Sequence, residues 1–140
     1  MSLEEMKAIT KRAFEEVWNE GNLDVVDELY NLDFVDRQHH HPDDDRPMEG
    51  AEIFKKFARE ILNAFPDHHA VIHDQIAEGD KVALRYESKA THKGKIWDIE
   101  PTGREITWTG IVIYRIDSGK ISNVWVNWDM IGIVKQLTGE

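Results

Sequence analysis

Residues 105–128, EITWTGIVIYRIDSGKISNVWVNW, decide the fold of this chain. Branched and aromatic side chains recur with a period of two on both sides of the turn sequence Asp117-Ser118-Gly119-Lys120. Such alternation is typical of β-strands, and the glycine supplies the positive φ angle that a tight hairpin turn requires. The segment therefore predicts two antiparallel strands, Glu105 to Ile116 and Ile121 to Trp128.

Two further strands precede this hairpin. Val71 to Ala77 and Val82 to Thr91 have the same branched and aromatic composition, and the turn sequence Glu78-Gly79-Asp80-Lys81 separates them. Because each turn is short and contains glycine, successive strands should pair antiparallel. We predict a meander of long antiparallel strands in the second half of the chain.

The first half of the chain has helical periodicity instead. Ser2 and Glu5 have the spacing of a capping box at the start of an amphipathic helix, and Gly21 is suited to end it. The other predicted elements are a short helix capped by Asn22, a short strand from Asp33 to Gln38, a polar loop from Arg37 to Met48, a helix from about Ala51 to Phe65, and a terminal helix after Asp129. Helices followed by antiparallel strands predict an α+β fold.

Composition limits the function classes. A chain of 140 residues fits a single domain over residues 1–140, and its net charge of -10 leaves no basic surface for nucleic acid or an anionic membrane. No apolar run approaches the roughly 18 residues that span a bilayer, and acidic Glu4 and Glu5 stand where a signal peptide has basic residues. With no cysteine there is no disulfide framework. We expect a cytoplasmic protein.

Asp129, at the end of the last predicted strand, is the main candidate for proton transfer. On a period-two pattern it shares one strand face with Trp125 and Asn127. A carboxyl group held against apolar rings loses hydration, which raises its pKa toward the range where it both takes and gives protons. Asp is also a favoured helix N-cap, so spacing alone leaves capping and catalysis equally open.

The first strand has a second set of polar candidates. Asp36 and Gln38 share one face, and Val35, Arg37 and His39 share the other. One of these faces could line an internal cavity, although an exposed strand edge is the default interpretation for such residues.

The histidine tract at residues 39–41 and the acidic residues 43–45 that follow suggest metal binding. Adjacent residues on an extended chain point to opposite sides, so three consecutive histidines rarely converge on one ion. The glycines lack the spacing of nucleotide-binding loops, and the serine elbow of α/β-hydrolases is absent. We therefore predict no metal and no cofactor.

Several short segments, in their order along the chain, resemble the SnoaL-like polyketide cyclase family. They are EVWNEGNLD (16–24), DFVD (33–36), AFPD (64–67), IAEGDKV (76–82), THKG (91–94), PTGR (101–104) and WD (128–129). The resemblance implies an NTF2-like cone, in which a curved antiparallel sheet wraps around a pocket closed by the N-terminal helices. It also implies a small hydrophobic ligand and a homodimer or higher assembly.

The resemblance also implies a chemistry. Family members close a ring by an intramolecular aldol reaction of an aromatic polyketide ester, without metal or cofactor, and use an aspartate near the chain end as general acid/base. Asp129 matches that aspartate, and Trp125, Asn127 and Trp108 would be pocket walls. Relatives commonly have a histidine directly after the DFVD segment, where this chain has Arg37. A pocket histidine is thus either missing or shifted to His39.

We therefore predict a cofactor-independent cyclase or isomerase-type enzyme that acts on a small hydrophobic carbonyl compound. One alternative is a non-catalytic protein that binds a small molecule in the same cone. Another is an epoxide hydrolase-like enzyme, for which Asp36 is the candidate second carboxylate. A dimeric interaction adaptor is the remaining alternative.

Overall fold

A computed structural model describes residues 1–37 and 47–139 of the chain. Its elements are α1 (Leu3–Trp18), α2 (Asp24–Leu29), β1 (Tyr30–Asp36), β2 (Met48–Glu49), α3 (Ala51–Ala64), β3 (His69–Glu78), β4 (Lys81–Thr91), β5 (Glu105–Asp117), β6 (Lys120–Trp128) and α4 (Met130–Thr138). The predicted α+β class is confirmed, as are the three long helices and the four long strands.

The six strands form one curved sheet in the order β2-β1-β6-β5-β4-β3. Strands β3 to β6 pair antiparallel in chain order, as predicted. Gly79 and Gly119, in the turns, have φ angles of 61° and 77°, which a residue with a side chain rarely adopts. Register shifts leave His73 of β3 and Ser122 of β6 without an opposite residue, and irregularities of this kind bend and twist strands.

β1 starts earlier than the predicted strand, and its direction in the sheet is a finding that the sequence did not predict. It pairs parallel to β6, with Tyr30 opposite Ile121, so the sheet is not a purely antiparallel meander. Because of this pairing β1 begins at Tyr30, three residues before the predicted start, and α2 is correspondingly shorter. Leu23 is the N-cap residue of α2, whereas the Asn22 side chain accepts from the Asp24 N–H at 3.3 Å. Residues 38–46, including His39, lie outside the described residues.

The core lies between the concave face of the sheet and helices α1 to α3. Along β5 the residues Ile106, Trp108, Val112 and Tyr114 are buried and lie on one face of the strand. Ile111 lies on the opposite face and is 48% exposed in the single chain. The described helices include none that is long and apolar enough to cross a membrane.

The end of α1 is fixed to the edge of the sheet. The Asn19 side-chain amide donates to the Ala70 carbonyl at 2.9 Å, and its oxygen accepts from the Ala70 N–H at 2.7 Å. These two bonds continue the hydrogen-bonding pattern of a strand at the edge of β3. They also fix the position of the preceding residue, Trp18, whose carbonyl contributes to the site described next.

Candidate functional site in an aromatic cavity

A cavity opens between helices α1 and α3 and the concave face of the sheet. The centre of a water-sized sphere can reach about 40 Å³ inside it, and all the space not filled by atoms, including the part that opens to solvent, is about 510 Å³. Its walls include all three tyrosines of the chain and three of its five tryptophans, namely Tyr30, Tyr86, Tyr114, Trp18, Trp108 and Trp128. Such walls favour flat apolar molecules, and only a few polar groups among them can orient a ligand.

His68 and Ser88 form a hydrogen-bonded pair in the cavity wall. His68 Nδ1 lies 2.7 Å from the Trp18 carbonyl oxygen, and His68 Nε2 lies 2.9 Å from Ser88 Oγ. A carbonyl only accepts, so Nδ1 carries the hydrogen and the Nε2 lone pair accepts from the serine hydroxyl. Burial lowers the pKa of His68. At neutral pH the ring is therefore an uncharged base whose tautomer is fixed.

Local structure holds this pair in place. The His68 N–H donates to the Phe65 carbonyl at 3.0 Å, which closes a turn after α3. Asp67 ties the turn to β4, because its carboxylate accepts from the Thr91 N–H at 2.7 Å and from the Thr91 hydroxyl at 2.6 Å. The His68 ring packs against Trp108, with ring centroids 5.4 Å apart. Few alternative orientations of the imidazole are compatible with these contacts.

The tyrosine hydroxyls supply the other polar groups of the cavity. The Trp108 indole N–H donates to Tyr86, and the Tyr114 hydroxyl donates to Tyr30. Burial raises the pKa of Tyr86 to about 12 and also raises the pKa values of Tyr30 and Tyr114. The charge of Asp36 also contributes to the raised pKa of Tyr30. All three phenols are therefore neutral hydrogen-bond donors over the physiological range.

Of the predicted wall residues on the last two strands, only Trp108 lines the cavity. The cavity-facing residues of β6 are Val124, Val126 and Trp128. Successive side chains of a strand point to opposite faces, so Trp125 and Asn127 lie on the convex face, and their predicted place in the pocket is wrong. Asn127 is exposed there, and Trp125 is half-buried.

Asp129 caps helix α4 instead of facing the cavity. Its Oδ1 accepts from the Gly132 N–H at 2.9 Å, and its side chain is exposed. The predicted strand face ends too early to include it, because β6 stops at Trp128 and the Asp129 backbone turns into the helix. Gly132 makes the cap possible, since an added Cβ there would lie 2.6 Å from the Asp129 carboxyl carbon. The predicted pocket position of Asp129 is therefore wrong.

Asp36 is fully buried on β1, where it pairs with Val124 of β6 and Met48 of β2. After burial, its charge contributes to the raised pKa values of Tyr30 and Tyr114, both of which line the cavity, whereas Asp36 itself is not among the lining residues. His39 lies outside the described residues. Within residues 1–37 and 47–139, no three histidine, aspartate or glutamate side chains cluster closely enough to hold a metal ion.

Residues 8–137 match the sequence profile of the family described as SnoaL-like polyketide cyclase. The chain belongs to this family. The match covers every described strand of the sheet and most of each described helix. The comparison with curated proteins gave no match.

Solved structures similar to this SnoaL-like protein span almost its whole length. AclR from Streptomyces galilaeus, provisionally described as a hydroxylase, is 27% identical, with 99% of this chain and 84% of that chain covered and a TM-score of 0.85. A protein from Acidithiobacillus ferrooxidans, provisionally described as a polyketide cyclase, is 29% identical over 99% of both chains, with a TM-score of 0.83. A Jannaschia protein that is 19% identical, over 98% of this chain and 94% of that chain, shares the fold with a TM-score of 0.88.

Sequence reasoning missed the His68–Ser88 pair of this SnoaL-like protein. Ser88 did carry a signal, because it continues the inward-facing series Val82, Leu84 and Tyr86 of β4 and is the polar residue of that series. A polar residue on a core face requires a hydrogen-bond partner. His68 carried no comparable signal, since it lies in a turn and reaches Ser88 only through the tertiary fold.

Proposed function

We propose that this SnoaL-like protein is a cofactor-independent cyclase or isomerase-type enzyme that acts on a small hydrophobic carbonyl compound in the aromatic cavity. The observation that carries the proposal is the neutral His68 imidazole, held by Ser88 and by the Trp18 carbonyl in an apolar wall. A base of this kind removes a proton from a carbon next to a carbonyl group. Membership in a cyclase family supports the same reaction class.

The proposed proton path runs through Ser88. The substrate carbon gives its proton to Ser88 Oγ as the serine hydroxyl hydrogen moves to His68 Nε2. The electron pair of the broken C–H bond becomes part of an enolate, which attacks a second carbonyl carbon of the same molecule. The imidazolium then returns the proton through Ser88 to the new alkoxide. The sequence of steps is redox-neutral and needs no co-reactant.

Asp129 is the competing general acid/base, on the strength of the family resemblance. Its carboxylate follows Trp128, a cavity residue, along the chain. Asn caps helices about as well as Asp, so Asp129→Asn removes the charge and keeps the cap on α4. This substitution tests the catalytic role of Asp129 without confusing it with the stability of the helix.

Hydrogen–deuterium exchange at the carbon next to a carbonyl tests the reaction class without knowledge of the natural substrate. We expect the protein to catalyse exchange of the methylene protons of 2-indanone, a flat aromatic ketone, as followed by NMR in deuterated water. Ser88→Ala should slow exchange by about tenfold, because His68 must then reach the carbon without a relay. Asp129→Asn should leave the rate unchanged.

The outcomes separate the alternatives. Loss of exchange in Asp129→Asn together with full activity of Ser88→Ala would make Asp129 the base. Saturable binding of 2-indanone with no exchange in any variant would favour the non-catalytic binding protein. An epoxide hydrolase would instead consume styrene oxide and give its diol.

We also propose that the protein is a homodimer that pairs through the convex face of the sheet. Ile111 is 48% exposed on that face, and Ile113 and Trp125 are half-buried beside it. A second copy would cover this apolar area.

Sedimentation equilibrium should give about twice the chain mass of 16.3 kDa, and Ile111→Glu should give a monomer. Leu3 is exposed at the start of α1, and Leu3→Glu is the control that should remain dimeric. A monomeric wild type would contradict the proposal.

A further inference from the structure

Tyr86 lies next to the His68–Ser88 pair and has no part in the proton path described above. Tyr86 and Ser88 are two residues apart on the concave face of β4, so their Cα atoms are separated by roughly 7 Å. Across the sheet, Gly110 lies opposite Tyr86, and Trp108 lies opposite Ser88. The phenol therefore neighbours the place where a substrate carbon would meet the serine hydroxyl.

Gly110 determines where the Tyr86 ring lies. A Cβ added to Gly110 would be 2.5 Å from the Tyr86 hydroxyl oxygen and 2.6 to 2.7 Å from two ring carbons. Real Cβ atoms essentially never approach so closely, so the ring can lie across β5 only because residue 110 is a glycine. The Phe14 ring packs against Tyr86 with centroids 4.9 Å apart. Phe14 and Gly110 thus hold the ring in one place.

Trp108 determines which hydrogen-bonding role remains for the Tyr86 hydroxyl. The indole N–H donates to the phenol oxygen. An oxygen that accepts a hydrogen bond becomes a stronger donor through its own hydrogen, because consecutive hydrogen bonds polarise one another. Burial also keeps the Tyr86 pKa near 12, so the hydroxyl retains that hydrogen at neutral pH. A ligand oxygen beside Tyr86 would therefore meet a polarised donor.

We propose that Tyr86 is a catalytic residue whose hydroxyl donates a hydrogen bond to the carbonyl oxygen of the substrate while the His68–Ser88 pair removes a proton from the carbon next to that carbonyl group. This proposal rests on the proposed function. As the carbon loses its proton, negative charge develops on the oxygen, and the Tyr86 hydrogen bond stabilises the enolate. No bond to Tyr86 forms or breaks. Gly110 and Trp108 are positioning residues that act through Tyr86.

The substrate class follows from this arrangement. The acidic carbon at Ser88 must be bonded to the carbonyl carbon whose oxygen lies at Tyr86. This arrangement occurs in a ketone with a flat aromatic body and in a 1,3-dicarbonyl compound. Donors aimed at the oxygen where charge develops typically contribute about 10²- to 10³-fold to kcat. A large share of the rate enhancement should therefore depend on Tyr86.

A binding experiment tests the donor independently of catalysis. The probes are 4-nitrophenol and 4-nitrotoluene, which have nearly the same shape but carry a hydroxyl group and a methyl group, respectively. Calorimetry measures their dissociation constants. Wild type should bind the phenol about tenfold more tightly, as one buried hydrogen bond predicts. Tyr86→Phe should abolish that preference. His73→Gln, at an exposed position of β3 away from the cavity lining, is the control and should keep it.

Each outcome decides the proposal. It is overturned if Tyr86→Phe keeps the preference, if His73→Gln loses it, or if wild type binds the two compounds equally or binds neither. Ser88→Ala should keep the preference while its exchange slows by about tenfold. A protein that shows the Tyr86-dependent preference but no exchange would therefore contradict the proposed enzyme function and leave the oxygen site at Tyr86 intact.

A kinetic experiment then separates catalysis from binding. With 2-indanone, Tyr86→Phe should lower kcat for exchange by about 100-fold with a small change in KM, because the charge on oxygen exists only after proton removal. Gly110→Ala should give a similar loss by displacing the ring. Near-ultraviolet circular dichroism and thermal unfolding check that each variant is folded. An unchanged kcat in folded Tyr86→Phe would overturn the catalytic role.

Discussion

Replacing His68 with glutamine is expected to lower the rate of proton exchange from 2-indanone by about 100-fold or more, as is usual for loss of a general base. Glutamine keeps an amide N–H that can donate to the Trp18 carbonyl, so the variant removes the basic nitrogen and little of the packing. The loss should be in kcat, measured by NMR at saturating ketone.

His73→Gln is the matched control for this substitution. His73 is exposed on β3, near Glu87 on the convex face and away from the cavity lining. This variant should exchange protons at the wild-type rate. Equal rates for His68→Gln and His73→Gln would remove His68 from the mechanism.

The pH dependence of the wild-type enzyme gives an independent check on His68. Burial lowers the pKa of His68 below its ordinary value of 6.5. The catalytic base is the neutral form, so kcat/KM should be constant near neutrality and should fall only below about pH 6.5. A decline that begins well above this pH would indicate a different base.

The same shift affects stability in acid. Because the folded-state pKa of His68 is lowered, the unfolded chain binds a proton at this residue before the folded chain does. The contribution to stability is present above about pH 6.5 and is lost as the pH falls toward the lowered value. His68→Gln should remove that part of the acid dependence.

The strands were predictable because their signals are local. Gly79 and Gly119 mark the hairpin turns, and the alternation in β4 and β5 identifies their faces without knowledge of the partner strands. The parallel pairing of β1 with β6 has no local signal, because it joins segments about 90 residues apart in the chain. Tyr30 also fits the apolar spacing of α2, so its spacing alone does not separate the end of the helix from the start of the strand.

The site was harder to predict because the side chains that face the cavity depend on where each strand ends and on its register with the neighbouring strand. Val124, Trp125 and Val126 are consecutive and apolar, so alternation identifies two faces of β6 without showing which one is concave. Pairing with β5 directs Val124 and Val126 to the cavity and Trp125 away from it. Asp129 showed the same ambiguity, since the cap and the strand face were both consistent with its spacing. In the structure Asp129 is the N-cap residue of α4.

Raising the pH above about 10 is expected to unfold the protein over a narrow range, because all three of its tyrosines are buried. Burial is the largest cause of the raised pKa of each tyrosine. An unfolded tyrosine ionises near pH 10, whereas the folded one remains neutral, so the unfolded chain releases protons first. Stability is therefore fully present below about pH 10 and decreases above it.

The size of the effect follows from the number of groups. Each tyrosine lowers the free energy of unfolding by about 1.4 kcal/mol per pH unit between its unfolded and folded pKa values. Three tyrosines together give about 4 kcal/mol per pH unit, compared with a total stability of about 5–15 kcal/mol for a typical domain. Urea unfolding followed by tryptophan fluorescence, from neutral pH to about pH 11, measures this slope.

Tyr86→Phe is the variant that tests the slope, because it removes one ionisable group and keeps the ring between Phe14 and Gly110. Its stability should fall by about 3 kcal/mol per pH unit instead of about 4, since two tyrosines remain. The absorbance of tyrosinate should stay low in the native protein and should rise together with the loss of tryptophan fluorescence. Tyrosinate that forms near pH 10 while the fluorescence is still native would mean that the phenols are open to water, and the neutral donor assigned to Tyr86 would then lose its physical basis.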